Sequence, residues 1–148
     1  MQAAEVYAKT GIALKDGGII TFRSKYHYNL IRPITYIQRN IDAAWLSYLA
    51  TPPYPEYSSG LVGFYAPVMQ VLKNEYGDID VTDNCYDWRG LPARHFTSIS
   101  NLLDEAAVSR IYAGLHYRFT QDASIKIGQK LANEISDLRL LSPRYKHP

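Results

Sequence analysis

Cysteine is almost missing from this sequence: Cys85 is the single thiol among 148 residues. One cysteine excludes an intramolecular disulfide framework and any zinc site built on several thiolates. It leaves the compartment open, because a chain without disulfides folds in either redox environment. Long apolar runs are also absent. The longest relevant uncharged stretch, residues 57–72, lies between Glu56 and Lys73 and is interrupted by Ser58, Ser59, Gly60 and Pro67. It falls short of the ~20 apolar residues that a membrane span needs. The opening residues, MQAAEVYAKTG, do not have the basic segment and apolar segment of a secretory signal. Charge of one sign is in little excess: 16 Lys and Arg stand against 14 Asp and Glu. That balance lacks the clustered basic face of a nucleic-acid footprint, so no nucleic-acid partner is expected.

What remains is a globular composition, 47% hydrophobic and 20% charged. A chain of this length can bury roughly 70% of its unfolded surface, enough for a real core. Tyrosine stands out, with 13 residues against 4 Phe and 2 Trp. Its apolar body and polar tip suit half-buried positions and the walls of a site.

Helical periodicity dominates the chain. The first 22 residues read as one helix, with Val6, Ala13, Leu14, Gly17, Gly18, Thr21 and Phe22 at roughly helical spacing. Its glycines weaken it intrinsically and mark close approach of a neighbour or ligand. Pro33 pushes Arg32 out of the α region, so a helix running on through Lys25 must stop before it. A short helix is expected from Ile34 to Ile41. Three prolines in TPPYPEY, residues 51–57, break the chain. Ser58 and Ser59 are natural N-caps for a helix to Glu75, which Gly77 closes. Val62, Tyr65, Ala66, Met69 and Leu72 share one face of it. Residues 77–97 read as a long polar loop. Ser98 or Ser100 starts a further helix with Leu102, Leu103, Ala106, Ala107 and Ile111 as its stripe, ending near Gly114. The last helix is expected from Asp122 to Leu138, followed by a frayed tail. With no strand-period run of useful length, the fold class is all-α: a bundle of four to five helices, residues 1–148 forming one domain.

Three stretches concentrate the unusual residues: KYHYNLIRP at 25–33, PEYSSGL at 55–61 and SRIYAGLHYRFT at 109–120. Lys25, Arg32 and Arg110 are cations among apolar neighbours. Ser59 and Gly60 sit at an expected helix N-terminus, where free N–H groups and the helix dipole favour an anion. Planar guanidinium forks and a compact ammonium together suit a tetrahedral oxyanion such as phosphate, sulfate or vanadate. Arg110 and His116 are six residues apart, about 120° apart around a straight helix. They can meet at one site only if the chain leaves the helix near Gly114. Taken singly, each of these residues has an ordinary explanation as a surface cation, a cap or a structural histidine. Asp78, Asp80 and Asp83 lack the Gly and final Glu of a calcium loop and read as a polar turn. Cys85 has no cationic neighbour to activate it.

Together and in order, the three stretches resemble the signature of the superfamily of vanadium-dependent haloperoxidases and type-2 phosphatidic acid phosphatases: K-x6-R-P, then P-S-G-H, then S-R-x5-H-x3-D. The sequence has Lys25 with Arg32-Pro33, Ser59-Gly60, and Ser109-Arg110 with His116 at matching spacings. The surroundings KYHYNLIRPITYI, PPYPEYSSG and EAAVSRIYAGLHYRF are similar to soluble bacterial haloperoxidase-like proteins. The resemblance runs from about residue 11 to 135 and implies a haloperoxidase- or acid-phosphatase-like bundle. It also implies roles. Lys25, Arg32, Ser59, Gly60 and Arg110 would bind the oxyanion. His116 would be the catalytic axial group, forming a phosphohistidine in a phosphatase or holding the vanadium of vanadate in a haloperoxidase. Intact relatives are longer, so the chain reads as a fragment or a reduced member. Helix surface left without its usual cover in a reduced member predicts a homodimer. Soluble relatives are often exported, which points to a periplasmic parent if that parent carries an export signal.

Three positions depart from the signature. Its second-motif His, the proton donor, is Leu61; its opening Pro is Ser58; its closing Asp, which orients the axial His, is Thr120. Loss of a general acid costs ~10²–10⁴-fold in rate. Asp122 is a candidate substitute for the lost carboxylate, and His27 or His95 for the lost proton donor. Two readings follow. One is an oxyanion-binding protein with residual phosphomonoesterase or haloperoxidase chemistry through His116. The alternative is a catalytically inactive member serving as an anion-binding or partner-binding module.

Overall fold

The computed structural model describes residues 2–140. Its elements run α1 (Gln2–Tyr28), α2 (Pro33–Asn40), α3 (Gly60–Tyr76), β1 (Val81–Asp83), β2 (Arg94–Phe96), α4 (Ile99–Tyr112) and α5 (Arg118–Ser136). Four long or medium helices and one short helix make a helical bundle, as the periodicity predicts. The expected tail at 142–148 lies outside the described residues.

α3 is the central helix, packed against α1 and α5 with α4 alongside. Small residues allow this. Pro67 sits inside α3 and cannot donate a hydrogen bond, so the Gly63 carbonyl is left without its helical donor. Gly17 of α1 packs over that oxygen. A Cβ on Gly17 would run into it and come within 2.9 Å of Pro67 Cγ. On the other side of α3, a Cβ on Gly128 of α5 would come within 2.5 Å of Ala66 Cβ and 2.8 Å of Pro67 Cδ. Gly17 and Gly128 are therefore contact points, and burial offsets their low helix propensity. Two apolar clusters fill the interhelix space. Ala13, Val71, Ala132 and Ile135 form one. Val62, Ala66, Leu103 and Ala107 form the other, with Leu61, Met69 and Ile125 packed against it. Leu14, Phe22 and Tyr65, expected on the inner faces, stay partly exposed at 39–46%. The stripes drift around these helices, and the glycines take the innermost positions.

Element ends follow local chemistry. α1 continues to Tyr28, and Asn29 turns the chain with φ of 48°. Pro33 opens α2 with Arg32 extended at its N-cap. Ser98 caps α4 by accepting from Asn101 N–H at 3.0 Å. Ser59 occupies the N-cap of α3, but its side chain makes no capping bond. The expected loop at 77–97 contains a small antiparallel pair, with Val81 opposite Phe96 and Asp83 opposite Arg94. Three-residue strands are too short to show a period in the sequence. Asp78 makes the polar turn by accepting from Ser100 N–H and Oγ at 2.9 and 2.7 Å. α5 begins at Arg118, a turn earlier than Asp122. Its first turn buries Thr120 and Gln121, polar residues that carry no apolar signal.

Candidate functional site

One end of the bundle gathers the three stretches. The start of α3, the end of α4 and the start of α5 meet there, and the loop from 51 to 59 crosses it. Gly114, at φ of 75°, breaks the chain after α4. That break turns the chain out of α4 between Arg110 and His116, as their spacing requires if the two are to meet. A side chain at Gly114 would also come within 2.8 Å of the Trp45 ring.

His116 is buried between a cation and an anion. Its Nδ1 lies 2.7 Å from Glu56 Oε1. Its Nε2 lies 3.3 Å from Arg32 Nη1. The carboxylate accepts from Nδ1–H, which leaves the Nε2 lone pair facing the guanidinium. Burial holds the imidazole pKa below its ordinary value despite the pull of Glu56, and Arg32 and Lys25 push it the same way as burial. A neutral ring with its lone pair on Nε2, toward Arg32, is what a ligand-holding group or nucleophile needs.

Glu56 is the residue that sequence reasoning missed. It is fully buried. Its Oε1 also accepts from Tyr117 N–H at 3.1 Å, and its Oε2 accepts from Thr120 Oγ1 at 2.8 Å. Its own N–H donates to Leu30 O at 2.9 Å. The carboxylate that orients His116 thus comes from the loop before α3, sixty residues upstream, and not from α5. Thr120, at the position of the signature's Asp, anchors that carboxylate. Asp122 is exposed on α5. The signal available in the sequence was an acid inside the PEYSSGL stretch itself, next to a serine-rich helix start.

The three cations are placed differently. Lys25 is completely buried, and its ammonium donates to the carbonyls of Pro55 and Glu56 at 3.0 Å each and to that of Ser58. All three protons are engaged, so Lys25 clasps the loop and contributes charge. Its pKa falls from 10.5 to about 8, first because burial strips its hydration and then because Arg32 repels it, against the attraction of Glu56. Arg32 donates through Nε to Tyr54 O and through Nη1 to Leu115 O, both at 3.0 Å, while Nη2 is buried without a partner. Arg110 Nε is likewise buried and unpartnered. The Tyr54 ring lies under both Lys25 and Arg32, about 5 Å from each. Ser59 donates its N–H to Ser124 Oγ at 3.0 Å, and its own hydroxyl is buried without a partner. Gly60 follows as the first residue of α3. Leu61 packs against the apolar cluster. His27 and His95 are exposed, on the Tyr28 ring edge and beside Thr82 respectively.

Arg32, Arg110 and Ser59 therefore carry buried donors with nothing to bond, at the end of the bundle where His116 is held in one tautomer. Lys25 and Arg32 both face the Glu56 carboxylate, with Arg110 near enough to repel Arg32, an excess of positive charge suited to a dianion. Buried donors are nearly always satisfied in folded proteins, so this set is a candidate place for a ligand.

Comparison with known proteins agrees with the helical-bundle fold. Residues 5–140 match the family model of the VCPO second helical-bundle domain. The chain belongs to that family. It is similar to the vanadium chloroperoxidase of Curvularia inaequalis, 24% identical over 82% of this chain and 28% of that protein. Its fold superposes on the first bacterial vanadium-dependent iodoperoxidase with a TM-score of 0.86 and 38% identity, covering 94% of this chain and 34% of that one. A holo-type bacterial vanadium-dependent chloroperoxidase shares the fold at a TM-score of 0.72 and 18% identity, covering 87% of this chain and 34% of that one. The chain spans about a third of the length of these relatives. Among the described residues, no helix is long and apolar enough to cross a membrane.

Proposed function

We propose that this chain binds vanadate or phosphate at the end of its bundle, where His116 Nε2 would hold it. The observation that carries this reading is the set of buried, unpartnered donors on Arg32, Ser59 and Arg110 at the same end of the bundle as a neutral His116. The donor set fits a tetrahedral oxyanion: guanidinium N–H groups and a hydroxyl for its oxygens, and the Gly60 helix start for its charge. When bound, vanadate supplies the centre that activates hydrogen peroxide to oxidise a halide. The chain's own residues have narrower tasks. Arg32 and Arg110 hold and orient the anion. Glu56 keeps the proton on His116 Nδ1 and off Nε2. Lys25 fixes the loop that delivers Glu56 and Ser59. Leu61 donates no proton, which favours holding the anion over rapid turnover.

Calorimetric titration with orthovanadate and inorganic phosphate tests this reading, with His116→Ala and Arg110→Ala as comparisons. Saturable binding that both substitutions abolish or weaken about tenfold or more is the expected result. A native chain that binds neither anion refutes it.

The depressed Lys25 pKa predicts a pH dependence. Attraction for an anion needs the ammonium, so affinity should be greatest below pH 8 and fall as pH rises through about 8. His116, already neutral, does not contribute to this fall. Fold stability should move the opposite way. The penalty for burying the ammonium is present in full below about 8, and it is relieved between about 8 and 10.5, where the unfolded chain binds the extra proton. Sulfate is a dianion throughout this range and separates the protein's titration from the ligand's. Its affinity should drop above about pH 8 in the native chain and lose that step in Lys25→Met.

A further inference from the structure

Gln121 is a buried amide with nothing to do in the ligand-free fold. Its side chain is almost completely enclosed, and neither its Nε2 nor its Oε1 has a hydrogen-bond partner. An amide in that state is destabilising, since each unmet polar group loses its water without replacement. The bundle geometry shows where it lies. Val62, Ala107 and Ile125 belong to one apolar cluster formed by α3, α4 and α5. One helical turn from each of them, toward the same end of the bundle, stand Ser59, Arg110 and Gln121. These three carry buried side-chain polar atoms without partners. Neighbouring residues on α5 fix the frame: Thr120 donates to Glu56 at 2.8 Å, and Ser124 accepts from Ser59 N–H at 3.0 Å.

We infer that Gln121 is a further binding residue of the oxyanion site, its Nε2 donating to an anion oxygen alongside Ser59 and Arg110. The inference rests on the oxyanion reading above and extends it to a residue outside the three motif positions. Its chemistry fits the departure at Leu61. A carboxamide donates a hydrogen bond without giving up a proton, so it supplies binding where the usual proton donor is missing. Its Oε1 is left to accept from a protonated oxygen of the ligand, which favours a monoprotonated oxyanion over one fully ionised.

Gln121→Met and Gln121→Glu test this by calorimetry with orthovanadate and inorganic phosphate, together with thermal unfolding of the ligand-free chain. Gln121→Met removes an unsatisfied group and keeps the volume. Its Tm should be unchanged or raised by about 2–4 °C, while anion affinity falls about tenfold, or about 1.4 kcal/mol. Gln121→Glu keeps the shape and adds like charge, so it should weaken binding further. Native affinity in Gln121→Met, with the native chain binding normally, sinks this inference alone. A Tm lowered by several degrees in that variant also overturns it, because the amide would then be bonded within the fold. A native chain that binds neither anion removes the oxyanion reading and this inference with it.

Discussion

Glu56→Ala should lower the unfolding free energy by about 3 kcal/mol or more, measured by urea denaturation at neutral pH. The carboxylate is the shared acceptor for His116 Nδ1–H, Tyr117 N–H and Thr120 O–H. Its removal strands three donors, two of them on buried side chains, and each costs roughly 1–3 kcal/mol when left unmet. Relief of one buried charge offsets part of that sum. Glu56→Gln should be milder, because an amide oxygen still accepts from His116 and Tyr117. The two variants should also differ at the ligand. Gln keeps the His116 tautomer and removes a negative charge, so vanadate binding survives. Ala frees the ring to take either tautomer, so binding weakens. A Glu56→Ala chain as stable as the native one would show that the loop before α3 does not hold His116.

The second large effect concerns Leu61. On the proposed reading, Leu61→His should raise turnover by about 10²–10⁴-fold, the usual range for a positioned general acid. The residue lies in the first turn of α3, directly after Ser59 and Gly60. It is half-buried at the edge of the cluster containing Val62 and Leu103. An imidazole there would sit beside the anion and could protonate a departing oxygen. Phosphomonoester hydrolysis and peroxide-dependent halide oxidation, each assayed in Leu61→His and in the native chain, give the comparison. The gain should vanish when His116→Ala is added, because both residues act on one bound group. A Leu61→His chain that binds anion and stays at native turnover would show that something other than the missing donor limits the chemistry.

Much of this protein is legible from its residues in order. The helices appear in the spacing of apolar side chains and their ends in Pro33, Ser98 and Gly77, because those signals act over a few residues. The break at Gly114 follows from the need to bring Arg110 and His116 together, and a positive φ is easy for glycine. The spacing of Lys25, Arg32, Ser59, Arg110 and His116 points to the proposed oxyanion site before any coordinates are known. The start of α5 was hidden for a related reason: Thr120 and Gln121 are buried for their polar groups, and apolar periodicity cannot register them.

Other features depend on contacts between distant segments. Nothing local says that Glu56 reaches His116, or that Thr120, at the position of the signature's Asp, ends up holding the Glu56 carboxylate. Nothing local says that Lys25 spends its three protons on the loop at 55–58, or that Gln121 is enclosed without a partner. Each is a matter of which groups the bundle buries together. Hydrogen bonds act over about 3 Å, whereas their partners here are separated by 30 to 64 residues of chain. Local propensity decides that helices form and where they stop. Only the packing of α3 against α1 and α5 decides which carboxylate meets the histidine and which buried donors are left without a partner.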